Sequence, residues 1–202
     1  MKIKYFLFVL IAFLLTSCSC SRENMSFKFG DFGPKVTESR SLRGFEGIEV
    51  YGSPTVYYQQ ADSFSVKVKG PKDIVDNIIT EVSDGKLTIR NRGKIGMFNI
   101  NFGGDYTLAV YVTSPDLVSV SLAGSGDFIS ERTVDTDNIT INLKGSGDIQ
   151  FSSLLCDRCN LEVVGSGDAS IRNLDTRETD VTLIGSGDIN LRQQNAASTR
   201  IT

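Results

Sequence analysis

Four aspartates, Asp127, Asp148, Asp168 and Asp188, each close a Gly-Ser-Gly-Asp tetrapeptide. The tetrapeptides begin at Gly124, Gly145, Gly165 and Gly185, with spacings of 21, 20 and 20 residues. Carboxylates brought into a column can hold a hard cation such as calcium, or accept hydrogen bonds from sugar hydroxyls. The same side chains can instead accept the amides of their own turns, and the known calcium-binding repeat has a period of about nine residues, not twenty. A second candidate for chemistry is Cys156-Asp157-Arg158-Cys159, which has the spacing of redox and zinc motifs. The chain has no His, so it lacks both the usual general base near neutral pH and the commonest imidazole ligand. Two cysteines without His make a poor zinc site. The reading is of no catalytic residue, no metal and no cofactor, with the aspartate column serving as turn structure.

The elements that position these residues follow from periodicity. Two, four and six residues ahead of each first glycine stand Leu122, Val120, Val118; Leu143, Ile141, Ile139; Val163, Leu161, Cys159; and Leu183, Val181, Thr179. Alternation of this kind marks a strand with one buried face. Beyond each turn Phe128 with Ser130, Ile149 with Phe151, Ala169 with Ile171, and Ile189 with Leu191 continue the pattern as a second strand. Gly124, Gly126, Gly145, Gly147, Gly165, Gly167, Gly185 and Gly187 suit sharp corners where neighbouring turns approach closely. A repeat of about 20 residues cannot bury its apolar face alone, which predicts stacking of like on like. The expected fold is all-β, a parallel β-helix-like solenoid with 20-residue rungs. In this register Cys156 and Cys159 both fall at small inward positions, so two buried thiols and a corner disulfide are both open readings in an exported chain.

Ahead of the repeat, Phe45–Val50 and Thr55–Tyr58 read as strands about a Gly52-Ser53-Pro54 turn, and Phe64–Val68 alternates again. Asp73 is placed to cap a helical turn carrying Ile74, Val75, Ile78 and Ile79 on one side. Asp84-Gly85 between Ile79–Val82 and Leu87–Ile89 predicts an antiparallel hairpin. A loop from Lys94 to Gly104 carries Met97, Phe98, Ile100 and Phe102, apolar for a connection, before a strand over Tyr106–Val112.

The N-terminus reads as an address. Lys2 and Lys4 precede an apolar run from Tyr5 to Leu15, too short for the ~20 apolar residues of a spanning helix, so residues 1–17 are expected to be a signal peptide. Leu15-Thr16-Ser17-Cys18 is similar to the bacterial lipobox, which implies acylation of Cys18 and a membrane-anchored, exported lipoprotein at the outer membrane or cell surface. Residues 18–41 read as a polar tether and 42–202 as the folded domain. A formal net charge of -3, with two lysines in the signal, gives no attraction to nucleic acid.

The pattern of Phe45-Glu46-Gly47-Ile48-Glu49-Val50, Val66–Gly70, Asp84–Ile89, Ser114-Pro115 and the GSGD series resembles the bacterial family of putative auto-transporter adhesins, head GIN domain. The resemblance implies a β-helix-like fold on exported or lipid-anchored proteins, an adhesive role and no catalytic residues to transfer. The partners expected are a membrane through the lipid, a surface glycan or protein ligand, and other copies through solenoid ends. With the repeat continued, another turn would fall near position 205, past Thr202, so the last rung is expected to be truncated or incomplete. The competing readings are a structural or assembly subunit and a β-helix polysaccharide-active enzyme. The enzyme reading is the weaker, since short rungs leave no loop length for a catalytic groove.

Overall fold

The computed structural model describes residues 33–92 and 108–202. Strands dominate because β-branched and aliphatic residues alternate with polar ones through most of that length. They are β1 (Lys35–Arg40), β2 (Gly47–Gly52), β3 (Thr55–Gln60), β4 (Ser65–Pro71), β5 (Ile78–Ser83), β6 (Lys86–Asn91), β7 (Ala109–Ser114), β8 (Ser119–Gly124), β9 (Asp127–Asp135), β10 (Asn138–Gly145), β11 (Asp148–Gly165), β12 (Ala169–Gly185), β13 (Ile189–Gln194) and β14 (Ser198–Ile201). One short helical turn, α1 (Lys72–Val75), follows β4. Its cap position is held by Pro71 without a side-chain bond, so Asp73 does not cap it. No helix among the described residues is long and apolar enough to cross a membrane.

All fourteen strands belong to one mixed sheet ordered β1-β4-β7-β3-β9-β11-β10-β8-β2-β6-β5, with β12 beside β11 and carrying β13 and β14. The 18 residues of β11 join its two sides: residues Asp148–Leu155 pair with β9, and Arg158–Gly165 pair with β10. The sheet thereby curls into a nearly closed barrel with two broad walls. One wall holds β1, β4, β7, β3, β9, the first parts of β11 and β12, and β13. The other holds β5, β6, β2, β8, β10, the later parts of β11 and β12, and β14.

This corrects the expected fold. The protein is all-β, but it is a nearly closed mixed barrel and not a parallel solenoid of rungs. Antiparallel pairs β1–β4, β4–β7 and β5–β6 are built into the same sheet as the parallel ones. Strand order is also not sequence order: β2 lies between β6 and β8, and β3 between β7 and β9. Alternation reports which side chains are buried, and a repeat reports which copies align. Neither says how the strands outside the repeat extend the sheet. Where the repeat does align, the register is direct, with Gly145 opposite Gly165 and Gly165 opposite Gly185.

Other expectations meet the structure at particular places. The Asp84-Gly85 turn joins β5 to β6, both residues at positive φ (52° and 72°), the conformation a tight hairpin needs. The span read as tether contributes β1, whose Val36 packs against the core. Cys18 and the loop from Lys94 to Gly104 lie outside the described residues.

A single hydrophobic cluster fills the space between the walls, from Phe45 and Ile48 at one end to Leu174 and Val181 at the other. Tyr58, Phe128 and Phe151 run through it with centroids 6.0 and 5.5 Å apart. Each buried side chain of this size contributes about 1.5–3 kcal/mol, so the cluster is what keeps the walls together.

Candidate functional site

The residues that drew attention in the sequence form one edge of the barrel, where strands turn from the second wall to the first. Gly124, Gly145, Gly165 and Gly185 take φ between 131° and 144°. A methyl group on Gly145 would lie 2.2 Å from the carbonyl oxygen of Gly124, and one on Gly147 would lie 1.9 Å from that of Gly126. The turns therefore touch backbone to backbone, and only glycine fits. Within the column each corner carbonyl receives amides from the next turn: Ser146 and Gly147 both donate to the Gly124 oxygen, at 2.9 and 3.2 Å.

The aspartates extend the same ladder. The amide of Asp168 donates to a carboxylate oxygen of Asp148 at 3.2 Å, and that of Asp188 to Asp168 at 2.8 Å. Asp127 accepts the Thr55 hydroxyl at 3.3 Å, and burial at the start of the column raises its carboxyl above the ordinary range. The carboxylates of Asp127, Asp148 and Asp168 thus accept from neighbouring residues of this edge, and no group of three or more acidic, Cys or His side chains suited to a metal occurs among the described residues.

A fifth member of the column escaped the sequence reading. Gly52, with φ of 103°, pairs with Gly124, and its carbonyl accepts the amides of Ser125 and Gly126. Its turn reads Gly52-Ser53-Pro54-Thr55, so the motif is masked by Pro and Thr where later copies have Gly and Asp. The shared Gly-Ser was the available signal.

At the opposite edge, Cys156 is half-buried and Cys159 buried, both as free thiols. Cys156 pairs with Thr176 and Cys159 with Thr179 across β11 and β12. A hydrogen bond between the thiols lowers Cys156, and the same bond together with burial pushes Cys159 up. An acid-rich hollow of about 360 Å³ opens beside them. Two of its carboxylates already have partners, Asp157 with Arg177 at 3.4 Å and Asp175 with Asn195 at 2.9 Å.

The outer face of the first wall is different. Tyr57 on β3 and Tyr111 on β7 are register partners and stack, with ring centroids 5.3 Å apart and planes 15° from parallel. Tyr111 is 42% exposed, the largest exposed aromatic surface among the described residues. Structural tyrosines elsewhere have polar partners: Tyr58, one residue along β3 and facing inward, bonds Ser114 at 3.0 Å, and Tyr51 donates to Glu49 at 3.3 Å. Neither hydroxyl of the stacked pair has such a bond within the described residues. Beside Tyr111 stands Lys67, its partner on β4, and Lys69 follows on the same face; both are exposed. On the far side Ile129 adjoins Tyr57 and leads to a shallow hollow of about 260 Å³ walled by Glu131, Gln150, Ser170 and Arg172. This hollow sits where β9 and β11 slip register between Phe151 and Ser153. Sequence reading missed the pair because Tyr57 and Tyr111 lie on distant strands. The only local signal was that Tyr57 interrupts an otherwise polar outward row, Thr55 and Gln59 standing on either side of it.

A stacked aromatic ridge on the outer face of a wall, with polar side chains around it and no deep cleft among the described residues, is suited to holding a ligand by surface contact. The fold is shared with solved structures. It matches a putative lipid binding protein from Parabacteroides distasonis with a TM-score of 0.64 at 18% identity, covering 84% of this chain and 78% of that one. Putative adhesins from Bacteroides fragilis (TM-score 0.53, 19% identity, 83% of this chain and 96% of that one) and Parabacteroides merdae (0.54, 16%, 84% and 97%) share it too. At these identities the likeness is one of fold. The sequence itself carries the family: residues 44–202, from the strand opening at Phe45 through all four GSGD corners, match the model described as putative auto-transporter adhesin, head GIN domain, and the chain belongs to that family.

Proposed function

We propose that this protein is a non-catalytic binding module of the bacterial cell envelope, and that its ligand surface is the outer face of the first wall, centred on Tyr57 and Tyr111. The observation that carries the reading is the stacked pair, half in solvent and without polar partners among the described residues, whereas the glycine corners serve the fold. The adhesin family and the adhesin and lipid-binding names of its structural relatives support a binding role. The lack of His, and the engagement of the Asp148 and Asp168 carboxylates by neighbouring turns, support a role without turnover. Cys18 is the proposed lipid attachment point, with residues 1–17 removed and the segment from Cys18 to β1 reaching from the membrane to the barrel.

The test is binding of the full chain, purified in detergent, to arrays of surface glycans and extracellular proteins. Tyr57→Ala with Tyr111→Ala is expected to lower binding at least tenfold while leaving the unfolding midpoint nearly unchanged, since neither ring belongs to the core. Binding that survives the double substitution would move the site elsewhere. Cys18→Ala is expected to release the protein from the membrane fraction, and unchanged retention would remove the anchor from the proposal.

A further inference from the structure

Resting on the ligand surface proposed above, we infer that the ligand is an acidic saccharide, its ring on the Tyr57–Tyr111 ridge and its carboxylate at Lys67 and Lys69. Charge complementarity is the first argument. On the second wall Lys86, Arg90, Arg158 and Arg200 each face a carboxylate, with Lys144 the exception. Lys67 and Lys69 are adjacent on one face, both exposed, and neither forms an ion pair within the described residues, although the chain as a whole is acidic. Alternate residues of a strand stand about 7 Å apart, close enough for two flexible ammonium groups to converge on one carboxylate. Placement is the second argument. Lys67 is the cross-strand partner of Tyr111, so a sugar resting on the ridge has its substituents within about one strand spacing, ~5 Å, of the ammonium group. The nearest acidic side chain in these rows, Asp127, lies beyond β7 and β3 and is occupied by Thr55.

The surroundings favour a saccharide over an acidic peptide. β4, β7 and β3 are each paired on both sides, which leaves no edge at the ridge for a peptide strand to join. The apolar surface amounts to two rings and Ile129, less than a protein partner's anchor pocket requires but enough for one sugar face. Gln59, one step along β3 from the inward Tyr58, adds an amide for hydroxyl groups.

The experiment compares matched ligands that differ only in the carboxylate: polygalacturonate against its methyl ester, and sialyllactose against lactose, by titration with the full chain in detergent. The wild type is expected to prefer at least one acidic member by tenfold or more, with the preference shrinking as salt is raised. Lys67→Gln with Lys69→Gln should bring the acidic ligand down to the level of its neutral partner, whereas Lys67→Arg with Lys69→Arg should keep most of the preference. Thermal unfolding of each variant checks that the barrel is intact. Equal binding of acidic and neutral members, or no binding to either acidic one, overturns the inference. So does lysine-dependent binding to anionic lipid vesicles without saccharide binding. The two proposals fail separately: tyrosine variants that weaken both members of a pair equally, with lysine variants silent, keep the ridge and remove the acid preference. Tyrosine variants without effect remove the ridge itself.

Discussion

The two walls of the barrel share a core and a repeat, yet they treat their outer charges in opposite ways. The second wall neutralises them locally: Lys86 meets Glu49 at 2.9 Å, Arg90 meets Glu81 at 3.1 Å and Arg200 meets Asp180 at 3.8 Å. Its tyrosine, Tyr51, is tied to Glu49, and burial with that neighbouring carboxylate raises its phenol. Between β4 and β12 the first wall forms no ion pair within the described residues and carries its tyrosines stacked and open. Exposed ion pairs contribute little to stability, so the pairing on the second wall is better understood as keeping that surface inert than as holding it together. The contrast teaches where to look for a ligand: at the wall whose polar groups have been left with capacity to spare.

That contrast is only meaningful if both walls depend on the same edge, and the largest expected effect tests this. Gly147→Ala puts a methyl group 1.9 Å from the Gly126 carbonyl, against backbone that cannot move without opening the ladder of Ser146 and Gly147 amides. The expected loss is more than about 3 kcal/mol, with both walls melting in one transition by circular dichroism and tyrosine fluorescence. A loss below about 1 kcal/mol would show that the turns can part, and the walls would then have to be treated as separate units.

Much of this edge was legible beforehand, and the reason is physical. Close backbone approach admits one residue type, so the constraint is written directly as Gly124, Gly145, Gly165 and Gly185 at a fixed spacing. Burial was equally readable, since inward positions such as Ile141, Leu161 and Val181 must be apolar whatever they pair with. Pairing order was not readable. A strand's two edges present the same backbone groups to any neighbour, so nothing in Thr55–Gln60 announces that β7 and β9 will flank it. The solenoid expectation failed on that point, and the Tyr57–Tyr111 pair was invisible for the same cause: it exists only once β3 and β7 are side by side. Gly52 was hidden differently, by Pro54, whose carbonyl still accepts the Asp127 amide although its side chain breaks the motif.

A middle-sized effect separates the two faces of β3. Tyr58 points inward, 3% exposed, and burial pushes its phenol up to about 12. Because the folded value lies above the unfolded one near 10, the neutral phenol's contribution is fully present below about pH 10 and is lost as pH rises through about 12. Tyr58→Phe forfeits the Ser114 bond and is expected to cost about 1 kcal/mol at neutral pH. The gap to the wild type should close between pH 10 and 12 in urea unfolding. A gap that stays constant across that interval would mean that Tyr58 is as solvated as Tyr57, and the inward and outward faces would lose their distinction.

The smallest effect bears most directly on the comparison of walls. Glu49→Gln breaks the pair with Lys86 on the second wall and frees an ammonium there. The Lys86 ammonium is solvated and exposed pairs of this kind contribute little, so the unfolding midpoint should barely move. If location on the first wall matters, this newly unpaired lysine should not raise affinity for an acidic saccharide, because no exposed aromatic ridge stands beside it: the neighbouring tyrosine is Tyr51, half-buried on the same strand. An increase in binding that matches the loss caused by removing Lys67 and Lys69 would show that unpaired charge alone recruits the ligand. Binding would then follow net charge anywhere on the barrel, and the stacked tyrosines would no longer define a site.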